Sequence, residues 1–315
     1  MRSSIRKFGA ATAISAGALC ILSAPAAAVE TGLSIYLKGA TAFMSGILPP
    51  DPGAYVTSTY YYYDGTAASE VRDGRIELDA EATLNAGLVG GVFVTDWHFF
   101  GGQYAAGVTI DYLGLNLDAT IQTQLGNANI SPSNDGIGDS IVTPVILGWH
   151  DGNLHWNTSL SVFVPTGAYS KGELSVGRNI WAFMPQLSMT YFDPKIGLDA
   201  SGTLTYVTMS RNDATDYQSG DIVHLDWAIG EHFGDKGAWE AGIAGNIVEQ
   251  ICGDSGSGAQ LGPFKAESFG LGPAISYQTV LGHVPMNFAL RWEHDLTHHN
   301  TFDGDVVSLS ATAVL

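Results

Sequence analysis

Between Asn153 and Val164 the chain sorts its side chains by parity: Leu154, Trp156, Leu160, Val162 and Val164 share one face, and Asn153, His155, Asn157, Ser159 and Ser161 share the other. A period of two marks a β-strand with one face against an apolar medium and the other against water. On a helix the same spacing would scatter the apolar side chains around the whole circumference. The split recurs. Met286, Phe288, Leu290 and Trp292 oppose Asn287, Arg291, Glu293 and Asp295. Val223, Leu225, Trp227 and Ile229 oppose His224, Asp226 and His232, and Ile76, Leu78, Ala80, Ala82 and Leu84 oppose Glu77, Asp79, Glu81, Thr83 and Asn85.

Such strands build either a soluble sandwich or a membrane barrel, and the connections separate the two. Twelve strands are read near residues 55–63, 75–95, 102–124, 140–149, 153–164, 180–192, 196–209, 222–234, 238–251, 264–278, 285–296 and 305–315, with ten or fourteen as alternatives. Turn formers make tight links at His150-Asp151-Gly152, Asp193-Pro194-Lys195 and Asp235-Lys236-Gly237. Long links span Leu125 to Asp139, Pro165 to Asn179, Ser210 to Asp221 and Cys252 to Pro263. Short turns at one end and long loops at the other are the habit of outer-membrane barrels. The expected fold is therefore all-β: a transmembrane antiparallel β-barrel over residues 55–315. Its apolar face would meet lipid, and its polar face would line a lumen. Lumen candidates are Glu77, Asp79, Glu81, His155, Asn157, His224, Asp226, Arg291, Glu293 and Asp295.

The start of the chain fits export. Arg2, Arg6 and Lys7 precede an apolar run from Phe8 to Leu22, and Ala26-Ala27-Ala28 supplies a small-residue cleavage pattern. An apolar run of about 15 residues falls short of the roughly 20 that span a bilayer as a helix. Residues 1–28 are thus expected to be a signal peptide removed near Ala28, for delivery to the outer membrane of a Gram-negative bacterium. Its removal takes three of 13 basic residues and leaves 10 against 31 acidic ones, a net charge of −21 with His neutral. That surface repels nucleic acid. Cys252 is then the one remaining cysteine, so neither an internal disulfide nor a thiolate metal cluster is expected. Residues 29–54, rich in Gly, Ala and Pro, either fold into the lumen as a plug or trail as a periplasmic tail. Trp149, Trp156, Trp181, Trp227, Trp239 and Trp292 fall near strand ends, where interfacial girdles form.

Several ordered motifs carry a resemblance. They are Gly136-Ile137-Gly138-Asp139, Thr143-Pro144, Leu147-Gly148-Trp149-His150, Val164-Pro165-Thr166-Gly167-Ala168-Tyr169 and Val176-Gly177-Arg178-Asn179-Ile180-Trp181. Thr215-Asp216-Tyr217-Gln218-Ser219-Gly220-Asp221 follows, and Leu48-Pro49-Pro50 lies in the opening segment. Together they resemble the outer-membrane family named for the meta-pathway of phenol degradation. The resemblance implies an outer-membrane channel for small hydrophobic or aromatic compounds, with no catalytic residue and no cofactor to carry over. It also implies contact with outer-membrane lipid and lipopolysaccharide, and assembly by the barrel assembly machinery.

Chemical motifs are weaker. Gly253-Asp254-Ser255-Gly256-Ser257 imitates a protease nucleophile segment, and Gly138-Asp139-Ser140 imitates an esterase one, but neither has the surrounding sequence that such chemistry uses. His294, His298 and His299 with Asp295 and Asp303 are metal-ligand types on a loop, and no second His cluster supports them. The competing functions are an outer-membrane hydrolase using His155 and Ser159, and a purely structural or surface-interaction barrel. The expected answer is no enzyme and no metal.

Overall fold

The structure is a computed structural model that describes residues 35–71, 76–123, 126–259 and 262–315. Side chains are not described at 68–71, 76–78 and 123. The signal segment, the first residues of the 29–54 segment and the side chain of Glu77 lie outside the described residues.

The strands are β1 (Gly53–Val71), β2 (Ile76–Phe99), β3 (Gly102–Thr123), β4 (Gly126–Ile130), β5 (Ser133–Ile137), β6 (Ser140–Asp151) and β7 (Leu154–Val164). The second half supplies β8 (Ala182–Asp193), β9 (Leu198–Met209), β10 (Ile222–Phe233), β11 (Trp239–Gln250), β12 (Glu267–Leu281), β13 (Val284–His299) and β14 (Asp303–Val314). Neighbours in sequence pair antiparallel from β6 round to β14; β14 then pairs β1, β1 pairs β2, β2 pairs β3, and β3 returns to β6. The sheet closes into a twelve-strand barrel without a free edge. β4 and β5 add no staves. Both run antiparallel to β3 above β6, Ala119 opposite Ile130 and Asn116 opposite Ser133, so β4, β5 and β6 form one strand interrupted near Pro132. Of the stretch from Leu125 to Asp139, expected as a loop, Gly126–Ile130 and Ser133–Ile137 are strand.

Each strand from β6 to β11, and β14, has 11 or 12 residues. At about 3.3 Å per residue and a tilt near 40°, that length covers an apolar band about 25 Å tall. β8 displays the sorting. Phe183, Leu187, Met189 and Tyr191 are exposed outward, whereas Ala182, Met184, Ser188 and Thr190 are buried inward. Aromatic pairs mark the turn end of the outer wall: Trp149 on Trp156 at 6.1 Å, Trp239 on Tyr277 at 4.3 Å, and Trp97 on Tyr104 at 6.2 Å. Trp181, Tyr206 and Trp292 face outward toward the loop end. Both chain ends of the barrel meet at the turn end, where Leu315 N–H donates to the Ala54 carbonyl at 2.9 Å.

β1, β2 and β3 are longer, at 19, 24 and 22 residues, and project beyond their neighbours at the loop end. There the polarity code inverts. Ala80, Ala82, Leu84, Leu115, Leu117, Ala119 and Ile121 turn inward onto Tyr61, Tyr63, Val176 and Phe302, forming an apolar cluster. Asp79 and Glu81 are exposed on the outer face. Their expected place on the lumen wall is therefore corrected: above the band the outer face meets water, and the apolar face becomes the core.

Candidate functional site

Residues 35–52 descend through the barrel interior from the loop end to the turn end, where β1 begins. Ile35 and Tyr36 pack with Phe163, Ile180, Met209, Ile222 and Val248 near the loop end. Leu48 packs on Val94 and Ala105 at the turn end, and Gln103 Nε2 donates to the Pro50 carbonyl at 2.9 Å. Gly46 passes so close to β8 that a Cβ there would overlap the backbone of Met189 and Thr190. Only glycine fits.

The inward polar residues hold this segment by its backbone. Asp226 accepts from Tyr36 Oη at 2.8 Å, Gly39 N–H at 3.1 Å, Thr41 N–H at 3.2 Å and Thr41 Oγ1 at 3.3 Å. His224 lies against the Tyr36 ring, with centroids 4.6 Å apart. Lys38 Nζ pairs with Asp295 at 2.7 Å. Arg291 lies 3.2 Å from Glu293, donates to the Thr41 carbonyl at 3.0 Å and reaches Ser308 at 3.3 Å. Asn246 donates to the other oxygen of Glu293 at 2.6 Å. Asn157 donates to the Ser45 carbonyl at 2.9 Å, and Asp199 accepts the Met44 N–H at 2.7 Å. A chain without regular secondary structure thus gets partners for its buried backbone groups from the wall. Beside it a cavity of about 190 Å³ opens toward β11 to β14. Ala42, Phe43 and Ala289 line it together with Ser276, Asn287 and Ser310.

The motif residues occupy other places. Asp139, buried, accepts the Gly167 N–H at 2.7 Å and the Arg178 N–H at 2.6 Å, while Thr166 Oγ1 accepts from Ser140 N–H at 2.9 Å. The Gly138 N–H reaches the Asp111 carbonyl, and Pro165 opens the loop that follows β7. Asn179 donates to Asn212, and Trp181 N–H donates to Ser210. Tyr217 Oη and the Gly220 N–H both donate to Asp254, beside buried Ser219; Asp221 accepts from Tyr206 at 2.6 Å. Asp216 accepts from the Ser257 hydroxyl and N–H and pairs with Arg211, contacts that hold its carboxyl down at about 2. These residues knit the loops after β7, β9 and β11 into a cap over the loop end. Trp149 and His150 stand apart at the turn end, on Trp156 and His155.

The hydrolase residues are engaged elsewhere. Ser159 donates to Gln186 at 3.1 Å, and His155 Nδ1 lies 2.7 Å from His150 Nδ1, so His155 and Ser159 form no nucleophile–base pair. The His cluster of β13 divides between faces. Asp295 turns inward to Lys38, whereas His294 pairs outward with Asp305 at 3.2 Å and His298 with Asp303 at 3.6 Å. Asp199 and Glu240, both buried on the inner wall, were not among the lumen candidates. Parity along β9, with Asp199, Ser201, Thr203 and Thr205 at every second position, is the signal that finds the first of them.

The family model described as "Putative MetA-pathway of phenol degradation" matches residues 60–311. Among solved structures, the chain is similar to the COG4313 outer membrane channel from Pseudomonas putida F1. That likeness has TM-score 0.60 and 15% identity, covering 85% of this chain and 100% of that one. The translocator domain of the autotransporter NalP from Neisseria meningitidis gives TM-score 0.45 and 13% identity, covering 83% of this chain and 88% of that one. No curated protein matches the chain significantly.

Proposed function

The chain belongs to the family of the MetA pathway of phenol degradation, and from that premise we propose that it is an outer-membrane channel for passive uptake of small hydrophobic or aromatic compounds. The observation that carries this reading is the cavity between the N-terminal segment and β11 to β14, where Phe43 and alanines face serines, an asparagine and, at its edge, Glu240 and Arg291. A neutral ring with one hydroxyl finds an apolar face and a hydrogen-bond partner there. No cofactor is needed for flow down a gradient.

In this reading the turn end is periplasmic, the loop end faces outward, and residues 29–54 are a plug that narrows the pore. The outward apolar band contacts lipid and lipopolysaccharide, and the barrel assembly machinery inserts the chain after cleavage near Ala28. N-terminal sequencing of the mature protein tests that cleavage site. Asp226, Glu293 and Asp295 face Lys38 and Arg291 across the lumen, an acidic excess that disfavours anions.

Influx of phenol, toluene, benzoate and glucose into liposomes carrying the mature protein tests the function. Neutral aromatics should enter faster than into protein-free liposomes, with benzoate and glucose near background. Benzoate entering as fast as phenol would contradict the reading, as would a folded barrel that admits none of the four.

A further inference from the structure

At the turn end of the lumen three adjacent strands aim one side chain each at a common point. β9 gives Asp199, β10 gives His232 and β11 gives Glu240, and one donor atom of each lies within 4.8 Å of the others. The register makes this so: Asp199 stands opposite Gly230, and Glu240 stands opposite His232. Asp199 and Glu240 are 0% and 1% exposed.

The hydrogen bonds fix what faces inward. His232 Nδ1 lies 3.1 Å from the Gly237 carbonyl oxygen. A carbonyl only accepts, so Nδ1 carries a proton, and the ring turns its Nε2 toward Glu240 Oε2, 3.3 Å away. Nε2 and the second oxygen, Glu240 Oε1, have no hydrogen-bond partner among the described residues. Two buried carboxylates meeting at one imidazole call for a positive charge among them, which a bound cation supplies with the unpartnered Nε2 and Oε1 as ligands. Lys38 and Arg291 are paired with Asp295 and Glu293 and do not supply it.

We propose that Asp199, His232 and Glu240 bind a divalent transition-metal ion of the zinc class. One imidazole and two carboxylates are ligands for such an ion, with positions left open for water. Ligand atoms around zinc at about 2.0–2.2 Å stand roughly 3–4 Å apart, so side-chain shifts of about 1 Å complete the sphere. The supporting contacts are in place. The Gly237 carbonyl orients the imidazole, Ser201 Oγ donates to Asp199 at 2.6 Å, and Ser276 Oγ donates to Glu240 at 3.3 Å. Glu240 also borders the lumen cavity, which gives the ion its route in.

The ion would brace β9, β10 and β11 and, through them, the N-terminal segment. Met44 N–H is held by Asp199, and the Phe43 ring occupies the space that a side chain at Gly230 would take. None of these contacts depends on which solute the barrel passes.

The test is titration of chelator-stripped mature protein with Zn²⁺ in detergent micelles, read by calorimetry. The expected result is one zinc per chain, with affinity lowered by more than the roughly 10–100-fold typical of supporting-contact losses when His232→Gln or Glu240→Gln is made. His155→Gln, which removes the rival His150 and His155 pair, should leave the affinity unchanged. Heat-modifiable gel mobility checks that each variant is folded. Should neither substitution fold, X-ray absorption of the zinc-loaded wild type decides: a shell of oxygens with one imidazole supports the site, and two imidazoles overturn it. Absence of stoichiometric binding, or binding that survives both substitutions, also overturns it.

Discussion

Asp226 gathers more donors from the N-terminal segment than any other described wall residue, four from Tyr36, Gly39 and Thr41. Replacing it with Ala strands buried N–H and O–H groups, at about 1–3 kcal/mol for each one left unsatisfied. Asp226→Ala is expected to leave the barrel closed and to raise amide hydrogen exchange at residues 36–41; unchanged protection there would refute the anchoring role. In the loops, Asp216 titrates in the opposite sense to a buried acid. Its carboxyl is held at about 2 by Ser257 and Arg211, below the usual value near 4. The bridge between the loops after β9 and β11 is therefore complete above about pH 4 and lost as pH falls through about 2. Protection of the Ser257 amide, taken relative to its intrinsic exchange rate, should fall as pH drops through that window and stay level above it. Asp216→Asn should give raised exchange at neutral pH.

At the scale of the strand, the two faces of β2 make a sharp contrast. Ala82 lies in the apolar cluster at 3% exposure, while Glu81 beside it faces out. Ala82→Asp should cost several kcal/mol, as burial of an unpaired charge does, and Glu81→Ala should stay within about 0.5 kcal/mol. Urea midpoints of the folded barrel read both; a large loss for Glu81→Ala would restore the lumen placement. The case also marks where the sequence was legible. In β7, β10 and β13 the polar parity falls on the inner face and the apolar parity on the outer one. For upper β2 the same parity was read with the wrong sign, since a period of two reports which face is apolar and not whether lipid or water lies outside. Pro132 and the polar run around it disguised β4 and β5 as a loop, because their pairing is bought by β3 and leaves no apolar alternation of its own. The motif residues were legible as a group, yet their work as loop hydrogen-bond hubs depends on distant partners, 41 positions apart for Asp216 and Ser257. His232 was visible on its polar face; its meeting with Asp199 and Glu240 required the register of three strands.

The whole molecule is a closed wall around a threaded chain, and its transport follows from how much of the lumen that chain leaves open. Residues 35–52 are tied to the wall at both ends and in the middle, and the cavity beside them is about 190 Å³. An acidic lumen so narrowed should conduct weakly and prefer cations. The most direct test is planar-bilayer conductance of the mature protein against a variant lacking residues 35–50, with gel mobility confirming that both are folded. Small, cation-preferring steps in the intact protein, enlarged several-fold with the same preference in the deletion, are the predicted result. Equal conductance in the two, or a preference for anions, would contradict the account.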